Sequence, residues 1–76
     1  MNEEFRYEVV EHIATLSESG ATTKELNRVS YNDAPAKYDL RQWRNVDGEP
    51  RMLKGLTLTD EEAKALKAAL NSREDI

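Results

Sequence analysis

Cysteine is absent from these 76 residues, so no disulfide can staple the fold and no thiolate can hold a metal. Long apolar runs are missing as well. The longest, Val9–Val10 and Ala68–Leu70, fall far short of a signal-peptide core or of the ~20 apolar residues of a membrane-spanning helix, so a cytoplasmic location is expected by default, with no membrane partner. His12 is the only histidine, and no carboxylate stands at ligand spacing from it, which leaves it a structural or surface role and no metal. There is no glycine-rich phosphate loop, and Ser17, Ser19, Ser30, Asp33 and Asp39 make no recognisable nucleophile triad. The chain is also too short to enclose a substrate pocket of several hundred cubic ångströms. An enzyme, a cofactor and a small-molecule substrate are therefore not expected.

What is present is enough for one domain, residues 1–76. Its core must be thin, because a domain near this size buries only about 60% of the surface its unfolded chain exposes. Chains this short often gain stability by pairing with a copy of themselves, so a homodimer is expected. The net charge of -4 argues at face value against nucleic acid, whose affinity comes from cations that displace counterions. That total hides a segregation. Residues 1–23 carry five acids and one base, residues 24–54 five acids and seven bases, and residues 55–76 five acids and three bases, so the basic excess sits in the middle.

The last element is the clearest. Thr59-Asp60-Glu61-Glu62 is a capping box, in which the Thr59 hydroxyl accepts from the Glu62 amide while the Glu62 carboxylate reaches back. Ala63, Leu66, Ala69 and Leu70 recur at helical spacing behind it, which predicts a helix over about 60–72. Upstream, Ser17–Thr22, Asn32–Pro35 and Asn45–Pro50 are rich in turn-forming residues, and they separate runs that read as strands at about 23–31, 36–44 and 52–58. The Asn-Asp-Ala-Pro connection has the length of a hairpin loop. The first run, about 5–16, has two readings: Phe5, Val9, Ile13 and Leu16 fit a helical stripe, whereas Phe5, Tyr7, Val9 and Ile13 fit a strand interrupted by Glu11. Its Phe, Tyr, Val and Ile content and the tight turn that follows favour a strand with a bulge near Val10.

Four strands and then a helix predict an α+β domain, ββββα, with the helix over one face of an antiparallel sheet and the other face open. Side chains alternate along "KYDLRQWR" (37–44), so the parity that holds Leu40 under the helix turns Lys37, Asp39, Arg41 and Trp43 outward. If Leu26 points inward on the preceding strand, Asn27, Val29 and Tyr31 join the same open face. Lys24 and Arg28 have the opposite parity, and only strand twist or an edge position brings them to a ligand there. Rings interleaved with cations on an uncovered sheet suit unpaired bases, each of which stacks for roughly 1–3 kcal/mol while the cations follow the phosphates. Duplex DNA does not fit, because the sequence shows no helix-turn-helix, zinc finger or long basic helix.

The stretch "KYDLRQWRNVDGEPRMLKGLTLTDEEAKALKAAL", Lys37–Leu70, resembles the C-terminal domain of the transcriptional coactivator positive cofactor four, through its Asp-Leu-Arg strand, Gly-Glu turn, Lys-Gly-Leu-Thr-Leu strand and final capped helix. The segment "KELNRVSYND", Lys24–Asp33, is similar to the bacterial YdbC-type members of that family. The resemblance implies a homodimer with curved sheets that binds single-stranded DNA with little sequence selectivity, in transcription, replication or repair. RNA remains open as a second ligand. Residue by residue, it implies that Arg41 is the family's strand arginine, Lys54 the lysine before its glycine, and Tyr31 its exposed aromatic. The family places two successive aromatics after its arginine strand, whereas here Trp43 is followed by Arg44.

Each candidate has a plainer reading beside the functional one. Trp43 fits a core or dimer-interface position, and Tyr31 fits an ordinary cross-strand packing contact. Arg41 has Asp39, Glu25 and Asp33 as available salt-bridge partners. Lys24, Arg28 and Lys37 fit plain solvated surface. The function that competes with DNA binding is a protein-interaction module, docking a partner on its open sheet or edge strand.

Overall fold

The structure, a computed structural model, describes residues 6–76. Four strands come first, β1 (Tyr7–Ser19), β2 (Thr22–Tyr31), β3 (Lys37–Val46) and β4 (Glu49–Leu58), and one helix follows, α1 (Asp60–Asn71). The strands pair in the order β1-β2-β3-β4, every pair antiparallel, which leaves β1 and β4 as the edges. This is the expected architecture. The first run is a strand; its anticipated start at Phe5 lies outside the described residues.

Turn chemistry makes the strands longer than their apolar runs. Gly20 and Ala21 form a two-residue turn with Gly20 at φ 60, so β1 continues to Ser19. Asp47 and Gly48 both take positive φ, 54 and 84, as the first and second central residues of a type I′ turn require. The anticipated Asn45–Pro50 turn thus contracts to two residues, and β4 starts at Glu49 instead of Met52. Pro50 is tolerated because β4 is an edge strand, where a missing N–H breaks no ladder on the solvent side. The Asn45 side-chain oxygen accepts from the Gly48 amide at 2.9 Å and closes the loop.

Irregularities then bend the sheet. The β1–β2 register shifts between Val9 and Glu11, between His12 and Ala14 and between Thr15 and Ser17, so the bulge expected near Val10 is the first of three. A fourth shift lies between Arg41 and Trp43 against β4. Each adds local twist. Beside it, Gly55 faces Arg41 so closely that a Cβ there would lie 1.9 Å from the Arg41 Cβ, so only glycine lets the two backbones approach.

Directly opposed residues share a face, so the register puts Asn27, Val29, Asp39, Arg41 and Trp43 together on one side and Leu26, Tyr38, Leu40, Leu56 and Leu58 on the other. The parity read from the sequence is the observed one. The expected exposure is not: Val29 and Asp39 are fully buried and Trp43 is 5% exposed, on the face that the helix leaves bare. The sheet curls over this inner face, and the ring of Tyr7 comes to 5.7 Å from that of Trp43.

The helix forms as its capping box dictates, with the Thr59 hydroxyl accepting from the Glu62 amide at 3.1 Å and the Glu62 carboxylate accepting from the Thr59 amide at 2.8 Å. It ends at Asn71, before Arg73, which pairs with Asp75. No helical residue is buried. Leu66 and Leu70 keep 41% and 46% of their surface in solvent, and they line a groove with Leu26, Tyr38 and Leu58.

Candidate nucleic-acid interface

Asp39 is the hub of the inner face. Its carboxylate accepts from Arg41 Nε at 2.6 Å and Arg41 Nη2 at 2.8 Å, a fork on a fork, and from the Tyr31 hydroxyl at 2.5 Å. The remaining Arg41 nitrogen, Nη1, donates to the Leu53 carbonyl at 3.0 Å. The cluster therefore ties β2, β3 and β4 together at the point where Gly55 allows close approach. Its electrostatics follow from burial: the Asp39 hydrogen bond raises the Arg41 pKa, and desolvation followed by the Asp39 bond pushes the Tyr31 phenol from its ordinary 10.0 up to about 12.

A second polar chain runs beside it. The Thr23 hydroxyl donates to the Glu25 carboxylate at 2.6 Å, and the Asn27 amide donates to the same carboxylate at 3.3 Å. That bond fixes the Asn27 carbonyl toward His12 Nδ1, 2.7 Å away, so Nδ1 carries the proton. In the neutral ring, Nε2 then accepts from the Thr15 hydroxyl at 3.2 Å. His12 acts as a structural link, and among the described residues no group of three or more His, Cys, Asp or Glu side chains could hold a metal ion. Trp43 closes this cleft with Val9 and Pro50, and its buried indole N–H finds no hydrogen-bond partner among the described residues.

The predicted site residues fall into separate groups. Tyr31 and Arg41 meet at Asp39, with the Arg41 guanidinium 6.0 Å from the Tyr31 ring. Trp43 shares their face but lies beneath Tyr7. The exposed Lys37 stands opposite Val29 at the loop end of that face. Lys24 and Lys54 are exposed and share a small cleft with Leu40, Gln42 and Gly55. Arg28 lies on the helix face, its guanidinium 5.0 Å from the Tyr38 ring and donating to the Ala36 carbonyl at 3.2 Å. The solvent-facing positions expected for Arg41 and Trp43 are therefore corrected, Trp43 to a buried one and Arg41 to a half-buried one, because curvature folds their face inward and Asp39 occupies the guanidinium.

Sequence reasoning placed Asp39 as one of several partners for Arg41 and missed it as the hub; the i, i+2 spacing of an acid and a base on one strand face was the available signal. It also missed Arg44 and Arg51 as directly opposed neighbours. Once Asp47-Gly48 is read as a two-residue turn, residues equally far from its centre must pair, and these two are three positions out on either side.

The model of one family, Transcriptional Coactivator p15 (PC4), matches residues 19–69, from the last residue of β1 into the final turn of the helix. The chain belongs to this family. A protein of Treponema pallidum (strain Nichols), described as "Uncharacterized protein", is 44% identical over 73 residues, covering 95% of this chain and 84% of that one. Among the described residues no helix of this coactivator-family chain is long and apolar enough to cross a membrane.

Proposed function

We propose that this chain binds single-stranded DNA with little sequence preference, as a homodimer, where duplex opens during transcription, replication or repair in the cytoplasm. It acts by binding and not by catalysis. Membership of the coactivator family over residues 19–69 carries the reading. Likeness of Lys24–Asp33 to the YdbC-type members points to the bacterial branch. The exposed Lys24, Lys37 and Lys54 supply phosphate contacts, with Arg28 at the margin. Tyr31 offers its half-buried ring for stacking, with the Arg41 guanidinium, which Asp39 holds, 6.0 Å from the ring centroid. Trp43 is the floor of the site, buried and in ring contact with Tyr7.

The second copy belongs on the helix face. Leu56, 52% exposed, and the helix leucines form an apolar surface that one chain leaves uncovered, as a dimer interface requires. Fluorescence anisotropy with labelled oligo-dT, set against a duplex of equal length, tests the binding. Oligo-dT is expected to bind more tightly than the duplex and to lose affinity with salt at a slope of about -0.7 per phosphate neutralised. A protein-docking module would show neither the preference nor the slope.

A further inference from the structure

Most arginines in the described chain are occupied. Arg6 pairs with Asp33, Arg41 with Asp39 and Arg73 with Asp75, while Arg28 holds the Ala36 carbonyl and the Tyr38 ring. The β3–β4 hairpin is different. Arg44 and Arg51 face each other directly across the strands, both are exposed, and neither has a hydrogen bond or ion pair within the described residues. Like charges set directly opposite destabilise a sheet, so the pair gives the isolated chain nothing. The nearest acid on that face, Glu49, is opposed to Val46 and pairs with neither arginine. Thr22 flanks Arg44 on β2, and two residues further along that strand lies Lys24, in the cleft it shares with Lys54. Four cations without a partner among the described residues thus line one end of the sheet.

Two arginines set directly opposite each other by strand register, with no carboxylate paired to either among the described residues, suit an anion that accepts from both. A phosphate has the oxygens to do so and removes the repulsion at the same time. We infer that Arg44 and Arg51 form a phosphate clamp, which grips the backbone of an unpaired strand and continues the track of Lys24 and Lys54 to the hairpin tip. This rests on the single-strand binding proposed above, and it assigns the strongest phosphate contact to residues outside the set carried by the family resemblance.

The test compares the wild type with Arg44→Gln, Arg51→Gln and the double variant. Oligo-dT affinity is read by anisotropy over a salt series, and folding by thermal melting. Because both arginines grip one phosphate, losing the pair is expected to flatten the slope of log affinity against log salt by about 0.7 in the double variant, with each single variant between it and the wild type. The melting temperature should not fall in any of the three, because each substitution relieves a repulsion. An unchanged slope in the double variant overturns the clamp while leaving single-strand binding intact. If the wild type itself does not retain oligo-dT, that binding reading fails, and pyrophosphate decides the clamp alone: side-chain Nε–H resonances of Arg44 and Arg51 that shift together on titration sustain it, and resonances that stay still overturn it.

Discussion

Asp39 and Leu56 sit on neighbouring strands and on opposite faces of the sheet; the carboxylate is fully buried and the leucine is 52% exposed. The inner face carries carboxylates, a guanidinium, a phenol and an imidazole, and it is closed by the sheet's own curvature. The helix face carries leucines from β2, β3, β4 and α1, and it is the one left in solvent. Burial here follows curvature and partners, not polarity. The inner face is complete within one chain because every charge near its centre has a partner; the helix face is incomplete because a single helix lies too loosely on it to bury any of its own residues.

The hardest blow to this contrast falls on Asp39. Replacing it by alanine leaves the Arg41 guanidinium, only 12% exposed, without a counter-charge, and removing one partner of a buried pair costs about 3–5 kcal/mol. Urea unfolding of Asp39→Ala is expected to show a loss in that range. A loss below about 1 kcal/mol would mean that the pair behaves as a surface salt bridge and that the inner face is open.

A smaller cut is Tyr31→Phe, which deletes one hydrogen bond to a charged acceptor, an interaction worth about 1.5–3 kcal/mol, and leaves Asp39 paired with Arg41. It also removes a pH dependence. Below pH 10 the Tyr31 phenol is protonated in both folded and unfolded chains. Between 10.0 and about 12 the unfolded chain releases that proton while the folded chain keeps it, so stability falls as pH rises through this window. Denaturation curves collected across the window should show the wild type losing its advantage over Tyr31→Phe. A constant difference between the two would show that the phenol is not held by Asp39.

The order and type of the elements were legible because local chemistry writes them: the capping box at Thr59, the turn residues around Gly20 and Asp47-Gly48, and a period of two from Lys37 to Arg44. Parity was legible for the same reason, and it placed Asp39, Arg41 and Trp43 on one face as the register does. Exposure was not. A period of two distinguishes two faces without saying which way the sheet bends, and the bend arises from three slips in β1, a fourth beside Gln42 and the absence of a Cβ at Gly55. These act between strands, so no single run displays them. Trp43 accordingly reads as an open platform in sequence and lies under Tyr7 in the fold.

The mildest substitutions sharpen the other side of the comparison. Leu66 and Leu70 are exposed on a helix with no fully buried residue, so replacing both with lysine should change the unfolding free energy of the monomeric chain by no more than about 0.5 kcal/mol per site. Association should change far more, since two charges in the middle of an apolar contact must be desolvated unpaired. Sedimentation equilibrium is expected to give a dimer for the wild type and the 8.7 kDa monomer for Leu66→Lys/Leu70→Lys, with the circular dichroism spectrum retained. If both chains sediment alike, the leucines face solvent with no second copy upon them. If the double variant unfolds, the helix contributes to the stability of the single chain, and the inner face is not self-sufficient.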